Sequence, residues 1–256
     1  MKLTVLGSGS AGNCYLLQNK DETLILDCGL SYKTILKGLD FNLMNVVGCL
    51  VTHEHKDHSK SIEDLLSNTI RVYSSFGTFE HVFGSIKRKT NALWYSHFME
   101  IKSEGQFTAG DFTVLPFETE HFNNDGTPCK EPLGFLIQHK DMGKLLFITD
   151  SYYCQYNFTG LNHIMIECNY SMDIVNENFE KGLIHPVLRN RLFKSHFSLE
   201  NVKEFLKATD LTKVKDIVLL HLSDSNSNTE RFKEEIERLT GKPTYIADKG
   251  LKIDLF

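Results

Sequence analysis

The stretch VTHEHKDHSKSI, residues 51–62, follows directly on an apolar run and is dense in side chains that bind metals. Within six positions it carries His53, Glu54, His55, Asp57 and His58. The i, i+2 spacing of His53 and His55 can bring two imidazoles to one ion, while Asp57 and His58 can turn toward a second. Neutral imidazole and carboxylate suit Zn²⁺, Mn²⁺ and Fe²⁺, and the choice among these three metals stays open.

Other apolar runs end in residues of the same kind. With the run before His53, they are LILD ending at Asp27, TVLPFETEH at His121, LLFITD at Asp150 and DIVLLH at His221. Strand ends at one edge of a sheet are where a rigid scaffold gathers its polar groups. The pattern therefore predicts a metal site built from several strand ends, in place of a solvated surface turn.

The remaining pattern favours many strands with helices between them. Strands are predicted at Leu3–Leu6, Cys14–Gln18, Thr23–Leu26, Val46–Val51, Ile70–Ser74, Phe112–Phe117, Gly134–Gln138, Leu145–Ile148, His163–Glu167, Ile217–Leu220 and Thr244–Ala247. Helices are predicted in SIEDLLS (61–67), TFEHVFGSIKR (78–88), SLENVKEFLKAT (198–209) and NTERFKEEIERLTG (228–241), the last ending on Gly241. We expect a layered α/β sandwich and one domain over residues 1–256.

Composition excludes several classes of protein. The net charge of −5 gives no overall basic field for nucleic acid or membrane, so phosphate contacts must be local. The six cysteines form no CxxC pair and no tight framework, which favours reduced thiols in a cytoplasmic protein. The apolar run at Leu3–Leu6 is too short for a signal peptide, and no stretch approaches the ~20 residues that span a bilayer.

The segment THEHKDH, with Asp27, His121, Asp150 and His221, resembles the five motifs of the metallo-β-lactamase superfamily over essentially the whole chain. The resemblance implies a four-layer αββα sandwich with two divalent ions. It implies that His53, His55 and His121 bind one ion, that Asp57, His58 and His221 bind the other, and that Asp150 bridges them. It further implies that Asp27 orients the metal-binding histidines and that Asp57 shares in catalysis.

Three further segments are similar to the WalJ (YycJ) group of DNA exonucleases. They are LGSGSAGNCYLL with LILDCGLS, IECNYSMDIV with KSHFSLENV, and LLHLSDSNSN. The chain departs from that group at Tyr170-Ser171, Phe197 and Leu199.

Superfamily members that cut phosphodiesters place a histidine before the last helix and orient it with an upstream acidic residue, and the resemblance implies these roles for His196 and Glu167. We expect His196, oriented by Glu167, to stabilise charge on a phosphoryl oxygen or to protonate the leaving oxygen. The alternative is a polar residue at a helix N-terminus beside a surface carboxylate.

Further residues are candidates for substrate contact. They are Arg189, Arg191 and Lys194 for phosphates, Asn226 for substrate, and Ser223 as a support for the site; a second basic cluster lies at Lys87, Arg88 and Lys89. We expect nucleic acid or a nucleotide as substrate, no membrane partner, and a homo-oligomer as one way for a bare catalytic domain to hold nucleic acid.

Two other functions share the same metal motifs. One is a small-molecule hydrolase, such as a thioesterase, lactonase or cyclic-nucleotide phosphodiesterase, and the other is a sensor that keeps metal for stability. Ligands for two ions with open positions argue against the sensor, because structural metal sites are usually closed.

Overall fold

The computed structural model describes residues 1–84, 92–123 and 125–256. The basic cluster predicted at Lys87, Arg88 and Lys89 lies outside the described residues, as does the end of the helix predicted at residues 78–88.

The described residues alternate between short strands and helices. Up to residue 118 the elements are β1 (Lys2–Gly7), β2 (Cys14–Gln18), β3 (Thr23–Leu26), α1 (Tyr32–Gly38), β4 (Val46–Leu50), α2 (Lys56–Ser59), α3 (Ile62–Ser67), β5 (Val72–Ser74), α4 (Phe76–Gly84), α5 (Ala92–His97), β6 (Phe98–Glu100), β7 (Phe107–Ala109) and β8 (Phe112–Glu118). The later elements are β9 (Leu133–His139), β10 (Gly143–Ile148), β11 (His163–Glu167), α6 (Met172–Glu180), α7 (Pro186–Ser195), α8 (Leu199–Ala208), β12 (Asp216–Leu220), α9 (Thr229–Thr240), β13 (Thr244–Ile246) and β14 (Lys252–Asp254).

Every predicted strand is present, with ends that shift by at most two residues. The predicted helix ends have the expected caps. The Ser198 hydroxyl accepts from the Asn201 N–H at 3.1 Å, and Gly241 adopts φ +67° after α9. Helices α1, α2, α5, α6 and α7 were not predicted from the sequence; α1, α2 and α5 have seven residues or fewer, too few for a helical period to stand out.

The chain divides into two compact units. The first unit comprises Met1–Glu118, Lys130–Met142 and Asp248–Phe256, and the second comprises Thr119–Cys129 and Gly143–Ala247. The single domain expected over residues 1–256 stays a prediction.

The first unit is built on a seven-stranded sheet in the order β14-β1-β2-β3-β4-β5-β6, and β7, β8 and β9 pair antiparallel. Strands β3 to β6 run parallel, so the carboxyl ends of β3 and β4 lie at one edge of the sheet. Asp27 follows β3, and the 51–58 turn follows β4. Parallel pairing thus brings two of the predicted motifs to the same edge.

A buried apolar cluster packs α1, α3, α4 and α5 onto the sheet of the first unit. Its members include Cys14, Cys28 and Cys49, which are fully buried. Burial raises the pKa of the Cys14 and Cys49 thiols, so both stay protonated. All six cysteines lie in the described part of the chain and none forms a disulfide, as the prediction of reduced thiols requires.

The second unit contains four parallel strands in the order β13-β12-β11-β10. Strands β11 and β12 are buried along their whole length, β10 is buried from Leu145 to Ile148, and β13 is buried at Thr244. Helices α6 to α9 lie between these strands in the chain. Asp150 and His221 follow β10 and β12, and Glu167 ends β11. The carboxyl edge of this parallel sheet therefore carries three buried polar residues.

No helix in the described ranges is both long and apolar enough to cross a membrane.

Gly29 allows the chain after β3 to pass directly against the 51–58 turn. A Cβ added at Gly29 would lie 1.6 Å from the carbonyl oxygen of Asp57. The same two segments exchange backbone hydrogen bonds, since the Cys28 N–H donates to the His58 carbonyl and the Ser61 N–H to the Cys28 carbonyl. The turn and the β3 end therefore need glycine at position 29.

Replacing Gly29 by alanine should lower the free energy of unfolding by ~3 kcal/mol, the upper end of the usual cost of overpacking, because backbone must move. Urea unfolding followed by circular dichroism measures this. The matched control is Gly84→Ala, whose added Cβ would meet nothing within 4 Å. Equal stability of the two variants would show that the close approach at Gly29 is not needed.

Candidate metal-binding groups

The 51–58 turn of the first unit packs three imidazole rings together. The chain leaves β4 at Leu50, and α2 begins at Lys56, so His53 and His55 lie on the connecting segment. The ring centroid of His53 lies 4.7 Å from that of His55 and 4.2 Å from that of His58. His53 and His58 are buried, and Asp57 keeps a quarter of its side chain exposed. This half of the predicted ligand set is therefore preassembled.

Asp27 orients two of these rings. One carboxylate oxygen accepts from the Thr52 N–H and hydroxyl at 2.9 and 3.0 Å, and the other accepts from His58 Nδ1 at 2.8 Å. The Thr52 hydroxyl also lies 3.0 Å from His53 Nδ1. A carboxylate that holds the Nδ1 side of a histidine leaves Nε2 as the nitrogen for a metal. Asp27 therefore has the contacts predicted for an orienting residue.

The glycine loop at residues 7–13 reaches the same turn through Asn13. The Asn13 N–H donates to the Asp57 carbonyl at 2.7 Å, and Asn13 Nδ2 lies 3.0 Å from His58 Nε2. An ion bound by His58 Nε2 would have to displace this amide. Asn13 was not a candidate from the sequence, although it lies in the segment GSGSAGN.

Glu54, which lies among the metal-binding residue types of the 51–62 stretch, anchors the turn instead. It is 4% exposed, and its Oε1 accepts from the Lys130 N–H at 2.8 Å. The Ser59 hydroxyl donates to the Glu54 carbonyl at 2.8 Å. Glu54 thus ties the turn to the segment before β9, while Lys56 is exposed.

The second unit gathers Asp150, Glu167, His196 and His221, each with one possible ligand atom within 4.8 Å of the others. His221 Nδ1 lies 2.7 Å from Asp150 Oδ1 and 3.3 Å from Glu167 Oε1. His121 joins them, since its Nε2 lies 3.7 Å from Asp150 Oδ2 and its Nδ1 donates to the Ser195 carbonyl at 2.8 Å. Buried imidazole and carboxylate at this spacing fit a divalent ion.

Three residues that follow the strands have strained backbones. Asp27, Asp150 and His221 adopt φ of +56°, +42° and +51°. The left-handed region is unusual for residues other than glycine and tends to mark functional sites. In the second unit, Asn169 stabilises this conformation by donating from Nδ2 to the His221 carbonyl at 2.7 Å. The sequence analysis missed Asn169, because no spacing rule singles it out.

Glu167 and His196 form the hydrogen-bonded pair expected from the sequence. His196 Nδ1 donates to Glu167 Oε1 at 2.6 Å, while Glu167 Oε2 accepts from the N–H groups of Ser151 and Phe197 at 3.1 and 3.2 Å. Glu167 is fully buried, and the His196 side chain is 14% exposed. Glu167 is therefore fixed, and His196 keeps access to solvent.

The charges in the second unit shift two pKa values. Burial alone would raise the pKa of Glu167, as would Asp150, but His196 and His221 lower it below its usual value. Burial alone would lower the pKa of His221, but Asp150 and Glu167 outweigh burial and raise it to about 10. Without metal, the His221 ring is therefore a cation between two carboxylates.

The predicted support and substrate residues Ser223 and Asn226 lie in the turn before α9. The Ser223 hydroxyl accepts from the Asn226 N–H at 3.3 Å, and Asn226 Oδ1 accepts from Asn178 Nδ2 at 3.1 Å. These contacts link the turn to α6. Their predicted roles remain predictions.

The three predicted phosphate-binding cations differ in their surroundings on α7. The Arg189 guanidinium lies over the rings of Phe179 and Phe193 at 4.8 and 5.0 Å and donates to Asn176 Oδ1 at 2.6 Å. Arg191 and Lys194 instead line a cavity of about 240 Å³. The guanidinium of Arg189 is therefore held by contacts within the protein, while Arg191 and Lys194 face the cavity.

Solved structures define the class of fold. The metallo-β-lactamase fold protein YhfI from Bacillus subtilis superposes with a TM-score of 0.69 over 98% of both chains, at 20% identity. Zn²⁺-bound PqqB from Methylobacterium extorquens superposes with a TM-score of 0.70 over the full length of both chains, at 13% identity. The chain has the metallo-β-lactamase fold, and the predicted α/β, αββα class is confirmed.

Sequence relatives indicate a group within this class of fold. The exodeoxyribonuclease YycJ of Bacillus anthracis is 27% identical in an alignment 266 positions long, which covers 99% of this chain and 94% of the relative. The exodeoxyribonuclease WalJ of Streptococcus pneumoniae is 26% identical in an alignment 263 positions long, which covers 99% of this chain and 91% of the relative. The family model for anti-Pycsar protein Apyc1 matches residues 1–76. The predicted resemblance to the WalJ (YycJ) group is confirmed.

In metal-free protein, the His221 ring should stay protonated through neutral pH and lose its proton near pH 10. Because the folded pKa lies above the unfolded value of 6.5, this proton stabilises the fold fully below pH 6.5, and the stabilisation is lost as the pH rises toward 10. An NMR titration of the ring Cε1–H measures the midpoint, with His221→Gln assigning the signal. A midpoint near 6.5 would contradict the carboxylate pairing.

Proposed function

We propose that the chain is a metal-dependent phosphodiesterase that degrades nucleic acid, with DNA as its substrate and exonuclease action as its mode. The observation that carries this proposal is the Glu167–His196 hydrogen bond of 2.6 Å beside Asp150 and His221. A histidine held by a buried carboxylate at a candidate metal group is suited to protonate a leaving oxygen. The full-length resemblance to proteins named exodeoxyribonucleases supports the substrate class.

The proposed ligands for two divalent ions are the residues of the sequence motifs. His53, His55 and His121 would bind one ion, Asp57, His58 and His221 the other, and Asp150 would bridge them. The donor chemistry supports this assignment, because buried imidazole and carboxylate suit zinc, manganese and iron. When bound, such ions supply a Lewis acid for phosphoryl oxygens and a source of hydroxide near neutral pH.

The chain's own residues would orient the metal-binding rings and carry the proton. Asp27 and Thr52 hold the Nδ1 side of His58 and His53, so these rings would present Nε2. Glu167 holds His196 Nδ1, which leaves His196 Nε2 to face the substrate and to carry the proton for the departing oxygen. Glu167 therefore fixes the orientation in which the His196 ring meets the substrate.

The substrate class is tested with metal-loaded protein on end-labelled single- and double-stranded DNA and RNA, beside a thioester and a lactone. The proposal expects stepwise shortening of DNA. Cleavage of the thioester or lactone with no cleavage of either nucleic acid would instead establish the small-molecule hydrolase.

Replacing Asp150 by asparagine should remove the negative charge while keeping a residue that tolerates the left-handed backbone. We expect the bound metal, measured by mass spectrometry of the purified protein, to fall from two ions per chain to at most one. Asp224→Asn, an exposed change in the same unit, is the control. Two ions per chain in Asp150→Asn would refute a bridging role.

Replacing His196 by alanine should keep both metals and lower the rate of DNA cleavage by ~10²–10⁴-fold, the usual contribution of a general acid. Single-turnover kinetics with metal analysis of the same sample measures both quantities. His81→Ala, an exposed histidine on α4, is the control. An unchanged cleavage rate would remove His196 from the mechanism.

A further inference from the structure

The second unit has a cavity of about 240 Å³ between helix α7 and the residues Phe122, Asn123, Asp125 and Gly126. The residues that line it on the α7 side include Arg191, Lys194 and Ser195. The cavity touches the candidate catalytic group through the chain itself, because Phe122 follows His121 and His196 follows Ser195. The Ser195 carbonyl also accepts from His121 Nδ1 at 2.8 Å. Whatever fills the cavity therefore contacts residues that are adjacent in the sequence to His121 and His196.

The charges that line the cavity favour an anion. Arg191 and Lys194 form no ion pair with any carboxylate in the described ranges. The opposing carboxylate, Asp125, is engaged by Thr127, whose N–H and hydroxyl donate to its Oδ1 at 2.9 and 2.6 Å. Two cations against one hydrogen-bonded carboxylate leave a positive site, which suits a phosphate.

Ser195 adds a buried polar group that lacks a partner. The residue is 1% exposed, and its Oγ forms no hydrogen bond with any other residue the structure describes. Leaving a buried hydroxyl unpaired is unfavourable, so such a group usually has a role. A phosphate or sugar oxygen in the cavity would accept its hydrogen bond.

The remaining lining and the size set the kind of anion. Phe122 and Val187 give the cavity apolar surface, on which the face of a base can pack. Ligand pockets usually measure ~300–1,000 Å³, so a cavity of about 240 Å³ has room for at most one nucleotide.

We propose that this cavity binds one nucleotide of a single strand, next to the bond that is cut, with its phosphate on Arg191, Lys194 and Ser195 and its base against Phe122 and Val187. The identity of this nucleotide as part of a cleaved strand rests on the proposed function. The cavity selects single-stranded ends over duplex because only one unpaired base fits.

The test measures binding of deoxyadenosine monophosphate to the metal-loaded full-length chain by calorimetry, with deoxyadenosine and inorganic phosphate as comparison ligands. The double variant Arg191→Ala/Lys194→Ala should weaken binding of the monophosphate by at least ~10-fold, the effect of losing one charge-assisted hydrogen bond. The matched control is Lys213→Ala/Lys233→Ala, which removes two exposed cations elsewhere in the same unit. Equal binding by both double variants would overturn the proposal.

A second variant separates the base from the phosphate. Phe122→Leu should weaken binding of the monophosphate several-fold, since a base loses its stacking surface, and leave binding of inorganic phosphate unchanged. An equal loss for both ligands would overturn the assignment of the base.

Hydrolysis of bis(4-nitrophenyl) phosphate by the wild-type chain distinguishes the two proposals. If the wild-type chain hydrolyses this substrate but the double variant Arg191→Ala/Lys194→Ala binds the monophosphate as tightly as the wild type, the cavity proposal alone is overturned. Binding that depends on these cations, in a chain that cleaves no phosphodiester, overturns the proposed function and supports the cavity as a nucleotide site.

Discussion

Charge buried at the ends of parallel strands is the constraint on which both units depend. Asp27, Asp150 and Glu167 are carboxylates with almost no exposure to solvent, and each would be unstable there without compensation. In the first unit Asp27 accepts from Thr52 and His58. In the second unit Glu167 accepts from two backbone N–H groups and from His196. These bonds make the carboxylates tolerable and, at the same time, fix the histidines beside them.

The same edges bear a conformational cost. Each residue held in the left-handed region costs on the order of 1–3 kcal/mol, and Asp27, Asp150 and His221 all lie there. The bonds from Thr52 to Asp27 and from Asn169 to the His221 carbonyl offset part of that cost. A turn of this kind directs the side chain away from the strand axis and over the sheet edge. The left-handed backbone at Asp27, Asp150 and His221 is therefore both the source of the strain and what sets the direction of these side chains.

The sequence was informative wherever chemistry follows from periodicity or from strand ends. Apolar runs located the strands, and the polar residue after each run identified Asp27, His53, Asp150 and His221 as candidates. Long-range partners could not be found in this way, because Asn13, Thr52 and Asn169 form hydrogen bonds with residues 45, 25 and 52 positions away. Arg189 shows that a basic cluster can also be misleading. The sequence places Arg189 beside other cations but does not reveal that it lies over the rings of Phe179 and Phe193.

The hydrogen bond from the Lys130 N–H to Glu54 has a consequence for how the protein is made. It links residues 76 positions apart, and the turn that carries His53, His55, Asp57 and His58 is completed only when that partner is present. A chain emerging from the ribosome exposes these four side chains well before residue 130 has left the exit tunnel. The glycine loop and Asp27, which also contact the turn, precede it in the chain. The turn therefore reaches its final geometry late in biosynthesis, although its four side chains are synthesised early.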